Sequence, residues 1–185
     1  KLSLPLLRQS RDVTSIDSSS EMLRIAGREA ENEGMILKPL ICDAQHLCLR
    51  DQTFECAISS RVLMHLTDWR KGLSELCRVA RGMVVVDFPP LIGFSGLDSI
   101  FKKWRSHFIS DAGAYKAFVV RSVIRELKKH NFYISHVRRQ FVLPMFFHRW
   151  LDAPQLSCRI ERVCKILGLG RLLGAPVTVK AIRHL

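Results

Sequence analysis

The chain has 185 residues, of which 48% are hydrophobic and 25% are charged, as in an ordinary globular domain with a full core. No apolar run reaches the roughly 18 residues that a membrane-spanning helix needs, and the chain opens on no signal-peptide pattern, so we expect a cytoplasmic protein. The net charge of +12 is uneven, because residues 1–100 hold 12 Lys and Arg against 13 Asp and Glu, whereas residues 101–185 hold 17 against 4. The basic half could face phosphate, anionic lipid or nucleic acid, or could simply be solvated on helix exteriors.

The first ninety residues alternate between apolar strands and amphipathic helices. The predicted elements are a helix over 1–7, a strand over 12–16, a helix over 20–32, a strand over 35–42, a strand over 54–59, a helix over 69–80 and a strand over 83–86. The serines at 18–20 and either Thr67 or Asp68 can cap the two longer helices. Gly34 and Gly82 are the expected stop signals. This alternation predicts an α/β fold with a parallel sheet.

The pattern changes beyond Pro90. The remaining elements are one or two helices within 91–117, a helix over 119–130, a strand over 132–142, an interrupted helical segment over 146–168 and a strand over 176–182. A helix, a strand, an insertion and a final strand favour an antiparallel closing pair at one edge of the sheet.

Acidic residues follow two successive predicted strands. Asp17 ends the first strand, and its two carboxylate oxygens can accept both hydroxyls of a ribose; a helix-capping role is the alternative. Asp43 ends the next strand, where it can accept an adenine amino group while the small Ala44 leaves space for the ring. Because ligands of open parallel sheets bind outside the carboxyl ends of the strands, the two acids form a candidate nucleotide site.

The six cysteines have no CxxC spacing, and several fall inside apolar runs. We therefore predict buried free thiols in a reducing compartment rather than disulfides. The seven histidines are scattered singly, so no metal site is expected.

Four stretches of this sequence resemble class I S-adenosylmethionine-dependent methyltransferases, in particular the type 11 group that includes enzymes of ubiquinone and menaquinone biosynthesis. They read VTSIDSSSEML, ICDAQHL, ISSRVLMHLTDWRKGLSELCRV and GMVVVDF. The resemblance implies a Rossmann-like, doubly wound, mostly parallel sheet with an antiparallel last strand, in three αβα layers. It also implies one domain over 1–185, with the cofactor-binding half in 1–90, an acceptor lid in 91–117, and a sheet-completing half in 118–185 that carries a helical insertion at 146–173.

The resemblance further implies S-adenosyl-L-methionine as cofactor and assigns residues to it. Asp17 would hold the ribose, Ser18 and Met22 would border the adenine, Asp43 would bind the adenine amino group beside Ala44, Ser59 would lie near the methionine part, and Arg61 would face the cofactor. The chain departs from the family in lacking the first strand and its glycine-rich loop of the form E/DxGxGxG. Since Lys1–Leu7 resembles the helix that follows this loop, we expect the loop upstream of Lys1; the alternative is that this polypeptide lacks it.

Methyl transfer from a sulfonium is an in-line displacement, so positioning supplies much of the rate. A general base helps only where the acceptor is a hydroxyl or a similarly weak acid. His65 and Asp87 are the candidates for that base. A packing role for His65 and a backbone-bonding role for Asp87 are the alternatives.

The sequence leaves four functions open. We favour methyl transfer to a small-molecule or lipid-like acceptor, and an anionic group on it would suit the basic half. Nucleic-acid binding fits the charge, but no compact basic run or stacking motif supports it. A nicotinamide-dependent oxidoreductase would use Asp17 equally well, and a non-catalytic scaffold of methyltransferase type is the fourth alternative.

Overall fold

The computed structural model describes residues 2–9, 11–91, 116–141 and 174–184. The chain divides into two compact units, Lys1–Arg50 and Asp51–Leu185. The predicted insertion at 146–173, and nearly all of the predicted lid at 91–117, lie outside the described residues.

The first unit contains two parallel strands and two helices. Its elements are α1 (Ser3–Leu7), β1 (Thr14–Asp17), α2 (Ser20–Asn32) and β2 (Lys38–Ile41). Ser19 is the N-cap of α2, where its Oγ accepts from the backbone N–H of Met22 at 3.3 Å, as the serine run predicts. β2 begins later than predicted because the N–H of Met35 still donates to the Ala30 carbonyl at the end of α2.

The second unit contains a mixed four-stranded sheet. Its elements are β3 (Phe54–Ser60), a 3-10 turn (Leu63–His65), α3 (Trp69–Val79), β4 (Ala80–Phe88), α4 (Val120–Lys129), β5 (Phe132–Phe141) and β6 (Ala175–Arg183). The strand order is β3-β4-β6-β5. β3 and β4 are parallel, whereas β6 runs antiparallel to both of its neighbours. The predicted antiparallel last strand is therefore confirmed.

The core of the second unit lies on one face of this sheet. Alternate residues of the two central strands are fully buried and pair across the strands: Val84 with Ala181, Val86 with Val179 and Phe88 with Val177. Helices α3 and α4 pack against the sheet and against each other, and their Leu73, Val123 and Leu127 side chains are also fully buried. Each such side chain contributes roughly 1.5–3 kcal/mol by leaving water.

The prediction that Gly82 stops the third helix is wrong. α3 ends at Val79, and Gly82 lies inside β4. The guanidinium of Arg183 on β6 donates to the carbonyls of Cys77 at 2.7 Å, Ala80 at 2.8 Å and Arg81 at 3.1 Å. A distant side chain thus supplies the partners that helix-terminal carbonyls need, so the chain passes into the strand without a glycine cap. The start of α3 is as predicted, since the Asp68 carboxylate accepts from two backbone N–H groups of its first turn.

The prediction of buried cysteines holds for one of the four that the structure describes. Cys77 is buried, whereas Cys42 and Cys56 are half-buried and Cys48 is exposed. Because Cys42 and Cys48 lie in the loop after β2, their apolar sequence neighbours do not enclose them. All four are free thiols.

Candidate functional site

Two acidic residues lie at the carboxyl edge of the β1–β2 pair. Asp17 is the last residue of β1 and pairs in register with Ile41, the last residue of β2. The pairing continues one step further, where the N–H of Cys42 donates to the Asp17 carbonyl at 3.2 Å. Asp43 comes next in the chain. The predicted juxtaposition of these two acids at one sheet edge is therefore present in the first unit.

The Asp17 carboxylate sits at the entrance of α2. Its Oδ1 accepts from the N–H of Ser19 at 2.9 Å, but Ser19 itself is the N-cap of α2, so Asp17 is not the helix cap that the alternative for it supposed. The second carboxylate oxygen can still accept from a ligand. The side chain is exposed, as is that of Ser18. Met22, in the first turn of α2, leaves 56% of its surface exposed. The start of α2 thus presents a hydrogen-bond acceptor, the Asp17 carboxylate, together with the exposed apolar side chain of Met22.

The Asp43 carboxylate is organised by the loop that follows it. Its Oδ1 accepts from the N–H of Gln45 at 2.8 Å, and its Oδ2 lies 3.6 Å from Nδ1 of His46. The hydrogen bond from the Gln45 backbone, helped by the Gln45 and His46 side chains, lowers the pKa of Asp43 below its ordinary value. Such bonds favour the charged form, so Asp43 is a fixed, ionised acceptor. Ala44 beside it is half-buried.

A second group of predicted residues lies where β3 and β4 end in the second unit. Ser60 and Asp87 pair in register across these strands. The Asp87 Oδ2 accepts from the Ser60 hydroxyl at 3.3 Å, and its Oδ1 accepts a short hydrogen bond from the N–H of Arg61. Arg61 has a φ of 58°, which costs a side-chain-bearing residue energy. Asp87 therefore stabilises this strained turn. Ser59, which precedes Ser60 on β3, is buried.

His65 ends the 3-10 turn that follows Arg61, and its side chain is exposed. Beyond it, three aromatic rings form a cluster that the sequence did not reveal. Phe118 meets Trp69 edge-on at 5.5 Å between ring centres and Phe88 at 5.6 Å. Lys116 donates through Nζ to the carbonyls of Leu66 at 2.9 Å and Thr67 at 2.8 Å. This cluster fixes the start of α4 against the end of β4.

Comparison with known proteins covers residues of both groups. Residues 1–85 match the family model described as a methyltransferase domain, of type 11. Over these residues the chain is similar to that methyltransferase family. The matched stretch contains Asp17, Asp43, Ser59 and the Arg61 turn, and the predicted resemblance is confirmed. The role of each of these residues stays a prediction.

A curated relative supports the same family. The demethylmenaquinone methyltransferase of Thermus thermophilus is 37% identical over 82 residues, which is 43% of this chain and 37% of that protein. The chain thus spans little more than a third of the length of this relative.

Solved structures are similar to this chain in fold. Magnesium protoporphyrin IX methyltransferase from Synechocystis PCC 6803, solved with bound SAH, has a TM-score of 0.68 at 17% identity, covering 99% of this chain and 68% of that one. The cyclase SpnF has a TM-score of 0.62 at 16% identity, covering 99% of this chain and 71% of that one. The predicted Rossmann-like methyltransferase fold is therefore confirmed. One of these folds carries a cyclase, so the fold alone does not determine the reaction.

Two features are absent from the described residues. No helix in the described ranges is long and apolar enough to cross a membrane. Within the same ranges, no three His, Cys, Asp or Glu side chains cluster as metal ligands would.

Proposed function

We propose that this chain binds S-adenosyl-L-methionine at the carboxyl edge of β1 and β2 and transfers its methyl group to a small-molecule or lipid-like acceptor. The observation that carries the proposal is the placement of Asp17 and Asp43 at the ends of two paired parallel strands. Its support is that both acids lie within the stretch that matches the methyltransferase family.

The residues at this edge fit the groups of an adenosyl cofactor. Asp17 is exposed and would accept from ribose hydroxyls through the oxygen that does not bond to the Ser19 N–H. Asp43 is ionised and would accept from the adenine amino group, with Ala44 beside the ring. Ser18 and the exposed Met22 would border the adenine. The roles that the sequence resemblance implies for Ser59 and Arg61 stay predictions.

When bound, the cofactor supplies an activated methyl group on a sulfonium, so the protein need not generate a leaving group. The work of this chain is to align the acceptor and exclude water. A hydroxyl acceptor would also need a base. Asp87 already accepts hydrogen bonds from Ser60 and from Arg61, which favours a structural role for it. His65, whose side chain is exposed, is the other candidate for the base.

The acceptor class is suggested by the relatives and by charge. One relative is named for demethylmenaquinone and one structural neighbour for magnesium protoporphyrin IX, so large apolar ring compounds are the first acceptors to test. The excess of Lys and Arg over 101–185 would suit an anionic group on such a compound.

Calorimetric titration of S-adenosyl-L-methionine into the chain, with Asp17→Asn and Asp12→Asn beside it, tests the cofactor site. Asp12 lies just before the amino end of β1, whereas Asp17 is at the carboxyl end. The exposed Asp12 carboxylate pairs with Lys38 at 2.7 Å, so Asp12→Asn is a matched control that also removes one exposed negative charge. Loss of a charge-assisted hydrogen bond should weaken binding roughly ten- to hundredfold in Asp17→Asn and leave Asp12→Asn unchanged. Equal affinity in the two variants would contradict the role of Asp17.

An acceptor panel then separates methyl transfer from its alternatives. Methylated product from a ring or quinone acceptor would support the proposal. Saturable cofactor binding without product from any acceptor would favour a scaffold or a different reaction on the same fold. Salt-dependent binding to nucleic acid, with a linear fall of log affinity against log salt, would favour the nucleic-acid alternative.

A further inference from the structure

Two cysteines flank the loop that carries Asp43. Cys42 directly follows β2, Cys48 lies six residues later, and their sulfur atoms are 2.9 Å apart. A disulfide bond would require about 2.05 Å between them, so only a small movement separates the two thiols from bonding distance. Cys48 is exposed and Cys42 is half-buried, which leaves one of the two sulfurs open to a reagent in solution.

Hydrogen bonds within the loop hold the two thiols together. The Cys42 sulfur accepts from the Cys48 thiol and, at 3.1 Å, from the Cys48 backbone N–H. The Cys42 thiol in turn donates to the His46 carbonyl at 3.2 Å. The hydrogen bond to Cys42 raises the pKa of the Cys48 thiol above its ordinary value, so little Cys48 thiolate is present at neutral pH and its exchange should become faster as the pH rises. The reduced pair is therefore an ordered feature of this loop and not a chance approach of two mobile side chains.

We propose that Cys42 and Cys48 form a reversible dithiol–disulfide site, oxidised by low-molecular-weight disulfides. The exposed Cys48, as thiolate, attacks one sulfur of the small disulfide, forming a mixed disulfide and releasing one thiolate. Cys42 then attacks the Cys48 sulfur, which forms the intrachain bond and releases the second thiolate. The protein loses two electrons and two protons, and the small disulfide is reduced to two thiols, so the exchange balances.

The closed ring would contain Asp43 and Ala44. Oxidation would restrain the loop whose Gln45 N–H orients the Asp43 carboxylate. The disulfide itself is independent of the proposed cofactor, since nothing in its formation requires a ligand. Cys77 is a control within the same chain, because it is 1% exposed and burial raises the pKa of its thiol to about 12.

The test incubates the reduced chain in glutathione buffers of graded redox ratio. Remaining thiols are then blocked under denaturing acid conditions, and the digested peptides are identified by mass spectrometry. The same series in concentrated urea gives the reference for the unfolded chain. We expect a Cys42–Cys48 cross-link in the folded chain, with an equilibrium constant about tenfold or more above that in urea, because the fold has already brought the sulfurs together. Cys77 should remain a free thiol.

Two variants make the result specific. Cys42→Ser should leave a persistent glutathione adduct on Cys48, because the resolving thiol is gone. Cys48→Ser should give little adduct, because the remaining Cys42 is less accessible. Separate adducts on both cysteines of the parent chain, or cross-linking no more favourable than in urea, would overturn the proposal. Neither outcome would bear on cofactor binding, which the Asp17 titration tests separately.

Discussion

Replacing Phe118 by Ala should remove a large part of the stability of the second unit. The ring is 4% exposed and meets Trp69 and Phe88 edge-on. Its backbone also links two segments, since its N–H donates to the Pro89 carbonyl at 2.9 Å and its carbonyl accepts from the Leu91 N–H at 2.7 Å. Phe118 therefore connects the residues just before α4 to the end of β4.

The expected loss follows from burial and from the two ring contacts. Truncating a buried Phe to Ala costs about 3–5 kcal/mol, including the cavity that remains, and edge-to-face contacts contribute about 0.5–1.5 kcal/mol each beyond area burial. An effect near the top of the truncation range, about 4–5 kcal/mol, is expected. Domains of this kind have a total unfolding free energy of about 5–15 kcal/mol, so the variant should be marginal.

Urea denaturation followed by far-ultraviolet circular dichroism measures this loss. Phe118→Leu keeps most of the apolar volume and should lose about 1–2 kcal/mol. Val119→Ala is the matched control, because the adjacent side chain is 45% exposed and should change stability by less than about 0.5 kcal/mol. If Phe118→Ala unfolded within about 1 kcal/mol of the parent chain, the cluster would not be what fixes α4, and the reasoning would be refuted.

Two further predictions concern the ends of helix α3 and of strand β2. Arg183→Ala should cost about 1–2 kcal/mol in the same denaturation assay, because carbonyls at the α3–β4 junction lose their donors. Arg183→Lys should lose nearly as much, because an ammonium group lacks the planar fork of donors, and a stability of Arg183→Ala equal to that of the parent chain would contradict the assignment. The pKa of Asp43 is lowered in the folded chain, so its contribution is present above the ordinary carboxylate pKa and is lost as pH falls through the lowered value. Stability should therefore decline between about pH 5 and pH 2 less in Asp43→Asn than in the parent chain, and identical pH profiles would contradict this assignment.

Local signals in the sequence were enough to predict much of the first unit. The serine run before α2 and the positive-φ glycine at 34 mark the bounds of that helix, because capping and left-handed backbone are determined by neighbouring residues. The placement of Asp17 and Asp43 at one edge also followed from the sequence, since parallel strands end on the same side of a sheet.

The features that were missed depend on residues far apart in the chain. Gly82 was misread because the end of α3 is satisfied by Arg183 on β6, which no local pattern announces. The engagement of Asp87 with the Arg61 turn depends on the register between β3 and β4. The contact between Cys42 and Cys48 arises from the path of a loop, and their spacing matches no familiar motif.

The position of β6 between β4 and β5 should slow the folding of the second unit. The last strand in sequence is a central strand of the sheet, and its Arg183 bonds to Arg81 across 102 residues. Bringing β4 and β6 together across so many residues costs chain entropy before their pairing can stabilise the sheet. Such non-local pairings lower folding rates. During synthesis, β3 and β4 must wait with one edge of β4 unpaired until β6 emerges, a state that favours association with other chains. Chaperone demand and yield at high expression should therefore depend on how quickly residues 175–183 reach their place.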